Sequence, residues 1–120
     1  MADSAEKDQS LLLDMLLAAR DARAFVAGMD EAGFRLSRLH QNAVIRSLEV
    51  IGEAADNVSP GFQTAHPEIP WREITGMRHR LIHGYAEVDL DLVWSVVGTK
   101  LGPLIAVLAP LIPPEGAPDA

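Results

Sequence analysis

Residues Ser10 to Val26 read SLLLDMLLAARDARAFV, and within them Leu12, Leu13, Leu16, Leu17 and Ala24 recur at three- and four-residue intervals. That period marks the apolar face of an α-helix, and Gly28 is its expected stop. Working outward, Asp30-Glu31-Ala32-Gly33 is turn-rich, with Asp30 placed to cap a brief second helix. The helical period returns from Leu36 to Val58, where Leu39, Ala43, Ile45, Leu48, Ile51, Ala54 and Ala55 fall mostly on one broad face. Ser59-Pro60-Gly61 is a strong turn signal. Phe62 to Pro70 contains two prolines and is expected to be largely extended or looped.

A further helix is expected from Pro70 or Trp71, with Ile74, Met77, Leu81 and Ile82 facing inward and Gly84 as its C-terminal cap residue. Asp89 then caps a last helix bearing Leu92, Val93, Val96, Val97, Leu101 and Leu104, kinked or restarted near Gly102-Pro103. No internal repeat is evident, and no alternation is long enough to build a sheet. The pattern predicts an all-α fold, an antiparallel bundle of four to five helices. One domain is expected over residues 1–112, followed by a frayed Pro-rich tail over 113–120.

Composition narrows the function classes. With 120 residues the chain has room for one core, and 48% apolar against 22% charged residues argues against disorder. Cysteine is absent, which removes disulfides and thiolate metal sites. Met1 to Gln9 is polar and acidic, unlike a secretory signal, so a cytoplasmic location is expected. Leu101 to Ile112 is the most apolar stretch, but it is short for a bilayer and interrupted by Pro103 and Pro110. A buried terminal helix is the expectation, with no membrane partner. The formal charge of −7 works against broad binding to nucleic acid, so any contact with RNA has to be local.

The local basic charge is at Arg78-His79-Arg80-Leu81-Ile82-His83-Gly84-Tyr85, with Arg72 one helical stretch upstream. Arg78 and His83 lie about 140° apart on a regular helix, so they converge only if His83 sits where the helix is ending. A helix C-terminus also favours imidazolium, which suits a group that takes up and releases a proton. Arg78 offers a planar fork for phosphate oxygens, and Tyr85 adds a hydroxyl. Such groups suit phosphodiester cleavage of RNA, where a base removes a 2′-hydroxyl proton and a cation meets the charge building on phosphate.

Arg78-x4-His83-x-Tyr85 resembles the R-x4-H-x-Y motif of HepT-like ribonuclease toxins in the HEPN superfamily. Gln41 to Ala54 resembles the long-helix signature of that family, and Pro67 to Trp71 with Gly76-Met77-Arg78 the approach to the motif. Val88-Asp89-Leu90 and Val93-Trp94 resemble the family's segment on the C-terminal side of the motif. The resemblance covers about Leu11 to Leu108. It implies a HEPN-like homodimer in which both motifs line one cleft, giving two copies of the catalytic pair Arg78 and His83. It also implies an endoribonuclease toxin of a type VII-like toxin–antitoxin system. Such an enzyme cleaves tRNA or mRNA without metal or cofactor, and its partner is an MntA-type nucleotidyltransferase antitoxin. That partner is expected to transfer AMP to Tyr85, which is thus both a supporting residue and the modification target. His79 stands where the family commonly has Asn or Asp, and it is given a supporting role.

Each residue also has a plainer reading. His79 and His83 at i, i+4 match a metal-pair spacing, but no Cys and no obvious third ligand accompany them. Arg78 and Arg80 could be a solvated face paired with Glu73 or Glu87. Arg46, Glu49 and Glu53 are expected to pair within their helix. His40 and His66 read as a polar helix position and a loop residue, and Trp71 and Trp94 as core or interface anchors. The competing functional reading is a non-catalytic helical partner or substrate-binding module of a minimal nucleotidyltransferase.

Overall fold

The structure, a computed structural model, describes residues 4–83 and 87–113, and of Arg78, Ile82 and His83 it describes the backbone alone. Helix α1 spans Ser4–Phe25, and Gly28 ends the turn after it at φ 80°, a conformation side-chain-bearing residues rarely adopt. Asp30 caps α2, Glu31–Arg35, by accepting a hydrogen bond from the Gly33 N–H at 2.7 Å. Ser37 caps α3, Arg38–Asn57, through the His40 N–H. Two contacts tie the first helix to distant parts of the chain. Asp8 in α1 reaches Ser59 just beyond α3, and Gln9 donates to the Leu111 carbonyl at the end of the last helical segment.

The loop expected after Ser59 is corrected by the structure. Pro60–Ala65 forms a six-residue helix, α4, because Pro60 occupies its first turn, where no N–H is needed, and the Ser59 hydroxyl accepts from the Phe62 N–H. Asp8, buried at 4% exposure, holds that cap in place: it accepts from the Ser59 N–H at 2.9 Å and from the Ser59 hydroxyl at 2.6 Å. His66, expected in a loop, closes α4, stacks on Phe62 with ring centroids 4.2 Å apart, and contacts Glu68 at 3.1 Å.

Helix α5 spans Trp71–Leu81, α6 Leu90–Thr99 and α7 Leu101–Leu108, with a final 3-10 turn at Ala109–Leu111. Asp89 caps α6 through the Leu92 N–H at 3.0 Å. The break between α6 and α7 falls at Lys100, slightly ahead of Gly102-Pro103, with a bend of 43°. Pro103 has no N–H for the Thr99 carbonyl four residues back, and its ring crowds that carbonyl, so the helix breaks there. The fold is therefore all-α, as the periodicity predicts. No single helix among the described residues is long and apolar enough to cross a membrane.

The core is a layer of Leu12, Met15, Leu48, Ile51, Val93 and Leu101, all nearly inaccessible, closed at one end by Phe34 against Trp94 with centroids 5.2 Å apart. Burying a side chain of that size contributes about 1.5–3 kcal/mol. Two parts of the expected apolar faces lie elsewhere. On α1 the buried line is Leu12, Met15, Leu16, Ala19 and Ala22, which leaves Leu13 and Leu17 40% and 46% exposed. On α3 it is Val44, Leu48, Ile51 and Ala55, and Leu39 is 75% exposed. Periodicity marks apolar residues, but only the partner helices decide which of them are covered.

Candidate functional site

Helix α5 carries the basic run, and its ends explain where that run sits. The Ile74 N–H donates to the Pro70 carbonyl at 3.0 Å, and the Trp71 indole N–H donates to the His66 carbonyl at 3.0 Å. Ile74, Met77 and Leu81 are buried, as the spacing predicts, so α5 is held along its inner face. It meets α3 at Gly52. A Cβ added there would lie 3.3 Å from the Ile74 carbonyl oxygen, so the two backbones approach more closely than most side chains permit.

At the other end, the expected cap at Gly84 is corrected. The helix stops at Leu81, and Ile82–His83 turns extended and pairs antiparallel with Glu87–Val88, in the register Ile82 with Val88 and His83 with Glu87. The Asp89 N–H donates to the Leu81 carbonyl at 2.8 Å, which occupies one of the acceptors a helix end leaves open. Ile82 is β-branched and suits the extended state. This two-residue pair is too short for its alternation to be read in sequence. It takes His83 off the helix, so the i, i+4 relation to His79 no longer describes a shared helical face. Gly84 and Tyr85 lie outside the described residues, as do the side chains of Arg78 and His83. The Arg78 backbone is in the last turn of α5, five residues from His83 across the change from helix to strand.

His79 and Arg80 are exposed. The Glu73 pairing expected for Arg80 is replaced: Glu73 meets Lys100 at 3.4 Å, tying α5 to the start of α7. Among the described residues, Arg46, Glu49 and Glu53 form no ion pair with one another within 4.0 Å. Arg80 borders a cavity of about 330 Å³ between α5, α6 and α7, with Ile74, Met77, Val96 and Leu104 in its walls. That cavity has no single-stretch signature, because its walls come from four helices, with Ile51 of α3 joining those of α5, α6 and α7. Glu68, near its mouth, has its carboxyl held below the ordinary range, first by a hydrogen bond from its own backbone N–H and then by His66.

A second feature lies at the same end of the bundle as the motif. Leu36 and Leu39 are 88% and 75% exposed at the start of α3. Arg35, just before them, contacts Asp91 in the first turn of α6. Asp89, at the start of α6, is in turn bonded to the end of α5. The exposed leucines and the helix-to-strand junction are therefore linked by two short contacts.

Comparison with known proteins agrees with the family resemblance. The profile of the ribonuclease HepT-like family matches residues 15–111. A protein of Thermococcus cleftensis that carries a HepT ribonuclease name is 50% identical over 64 residues, 53% of this chain and 58% of that protein. A Methanocaldococcus jannaschii protein with an RNase name is 37% identical over 89 residues, 74% of this chain and 82% of its own length. A third, from Caldanaerobacter subterraneus and also named as an RNase, is 39% identical over 72 residues, covering 60% of this chain and 64% of that one. No solved structure matches at a significant level.

Proposed function

Because the chain belongs to the HepT-like ribonuclease family, we propose that it is a metal-independent endoribonuclease that works as a homodimer. The observation that carries this reading is that the family match, over residues 15–111, spans the stretch Arg78-x4-His83-x-Tyr85. In the reaction a base takes the proton of a ribose 2′-hydroxyl. The oxygen attacks the adjacent phosphorus, and the departing 5′-oxygen receives a proton from an acid. Two copies of His83 across a dyad supply base and acid, and two copies of Arg78 meet the charge on the phosphate. The exposed Leu36 and Leu39 support a dimer face beside the motif, since solvent-facing leucines linked to the site end are what a second copy would cover.

The regulation we propose is a cognate nucleotidyltransferase of the MntA type. The Tyr85 hydroxyl attacks the α-phosphate of ATP, pyrophosphate leaves, and the tyrosine carries AMP. Bulk and negative charge at the cleft then exclude RNA. His79 keeps a supporting role.

The test is expression of wild type, Arg78→Ala and His83→Ala without a partner, with growth and RNA integrity followed together. Wild type is expected to arrest growth and fragment tRNA or mRNA, with chelator present in the purified assay, and both variants to do neither. A harmless wild type whose purified form leaves RNA intact ends the enzyme reading and leaves a binding module. Mass spectrometry after co-expression with a nucleotidyltransferase of the MntA type is expected to find AMP on Tyr85. Neutralisation with an unmodified tyrosine would remove that part of the proposal.

A further inference from the structure

The outer face of α5 leading into the motif has an unusual make-up. Arg72, Gly76 and His79 fall within an arc of about 60° and span about 10.5 Å of helix axis. Arg72 and His79 are exposed, and neither has a carboxylate within 4.0 Å among the described residues. The one acidic residue of the helix, Glu73, is engaged by Lys100. Between the two basic side chains stands a glycine in mid-helix, where glycine is costly relative to alanine. A Cβ added at Gly76 would meet nothing within 4 Å, unlike one at Gly52, so the chain's own packing does not require a glycine there.

We propose that this face receives the sugar–phosphate backbone of the RNA strand leading to the cleavage site. Arg72 and His79 contact phosphates, and Gly76 allows the strand to lie against the helix. The inference rests on the ribonuclease reading and adds to it a binding track that runs from Arg72 and Gly76, upstream of the motif, to His79 within it. A second copy of the chain is the competing occupant, but among the described residues the face has no exposed large apolar side chain: those described are Leu13, Leu17, Phe25, Leu36 and Leu39, all on α1 or at the entry and first turn of α3. An open strip between an exposed arginine and an exposed histidine, both hydrogen-bond donors, suits a polyanion better than a protein face.

The test measures binding of a fluorescent mixed-sequence RNA oligonucleotide to the full chain in a His83→Ala background, which prevents cleavage. Arg72→Ala is expected to raise Kd about 5- to 10-fold and to reduce the slope of log K against log salt by about 0.7. Gly76→Ala is expected to raise the melting temperature by about 2–5 °C and yet weaken RNA binding about tenfold. Gly98→Ala is the control: its Cβ also meets open space, but it lies in the groove between α1 and α6. It is expected to leave RNA binding unchanged. Unaltered binding by Gly76→Ala overturns the proposal. So does loss of the dimer in that variant by sedimentation, which would assign the face to a second copy. If the otherwise wild-type chain cleaves RNA while Arg72→Ala and Gly76→Ala match it, this inference alone fails. If it neither binds nor cleaves RNA, the ribonuclease reading fails first.

Discussion

Helices α1 and α3 meet through Leu12, Met15, Leu16, Val44, Leu48 and Ile51, all buried, whereas the outer side of α5 presents Arg72, His79 and Arg80 to solvent. In the first region each side chain is fixed by its neighbours, so a change there is felt as lost stability. In the second, the basic groups are held by a helix whose inner face is anchored, and little of the fold depends on what they are. On the proposed function the chain separates where it is stable from where it acts, and substitutions in the two regions should produce opposite signatures.

The sharpest contrast comes from His83→Ala and Ile51→Ala. The first is expected to slow RNA cleavage by about 10²- to 10⁴-fold, the usual contribution of a positioned acid or base, with an unchanged melting temperature. A cleavage rate within a factor of two of wild type would break the comparison. The second, at a residue with no exposure, is expected to cost about 2–5 kcal/mol in urea unfolding, with activity of the remaining folded fraction retained. Asp8→Ala comes next. It leaves the Ser59 N–H and hydroxyl without their buried acceptor, for a loss of about 1–3 kcal/mol, measured the same way.

Gly52→Ala is a smaller effect with a definite sign. Alanine favours a helix over glycine by about 1 kcal/mol, but its Cβ would press on the Ile74 carbonyl at 3.3 Å. No rise in melting temperature is therefore expected, in contrast to Gly76→Ala. A clear rise would show that α5 is not held by that close approach. The smallest effect concerns Glu68. Its carboxyl is held below 4.5 in the folded chain, so its contribution to stability is present above that value and lost as pH falls through the lowered one. Glu68→Gln should slightly flatten the acid limb of the stability profile, checked by urea midpoints on either side of 4.5.

Much of the fold is legible in the chain's own spacing, and the parts that are not have identifiable causes. The caps at Asp30 and Asp89 can be read because a short polar side chain before an apolar period has one common use, accepting from the first free N–H groups. The helix α4 is hidden because Pro60 at its start and Pro67 and Pro70 after it signal interruption, while the Asp8 that secures its cap lies 51 residues away in sequence. The stop of α5 at Leu81 is hidden for a similar reason: the Asp89 N–H and the Glu87–Val88 pairing that end it come from residues farther along the chain. Leu13, Leu17 and Leu39 share the helical period of the core yet face solvent, because periodicity records that a residue is apolar and not whether anything covers it. At the candidate site, the residue types and their spacing along Arg78 to Tyr85 are plain in the sequence, whereas the departure of His83 from the helix is not.

What the sequence by itself determined is the helical class, the positions of most helix starts, the family, and the spacing of the residues on which the proposed chemistry rests. These depend on local spacing and on the identity of side chains along one continuous chain. Only the tertiary structure decided which apolar residues are buried, that α3 and α5 touch backbone to backbone at Gly52, and that His83 leaves the helix into a short strand pair. Each of those is a contact between segments separated along the chain. Its energy comes from two surfaces meeting, and neither surface carries that information alone.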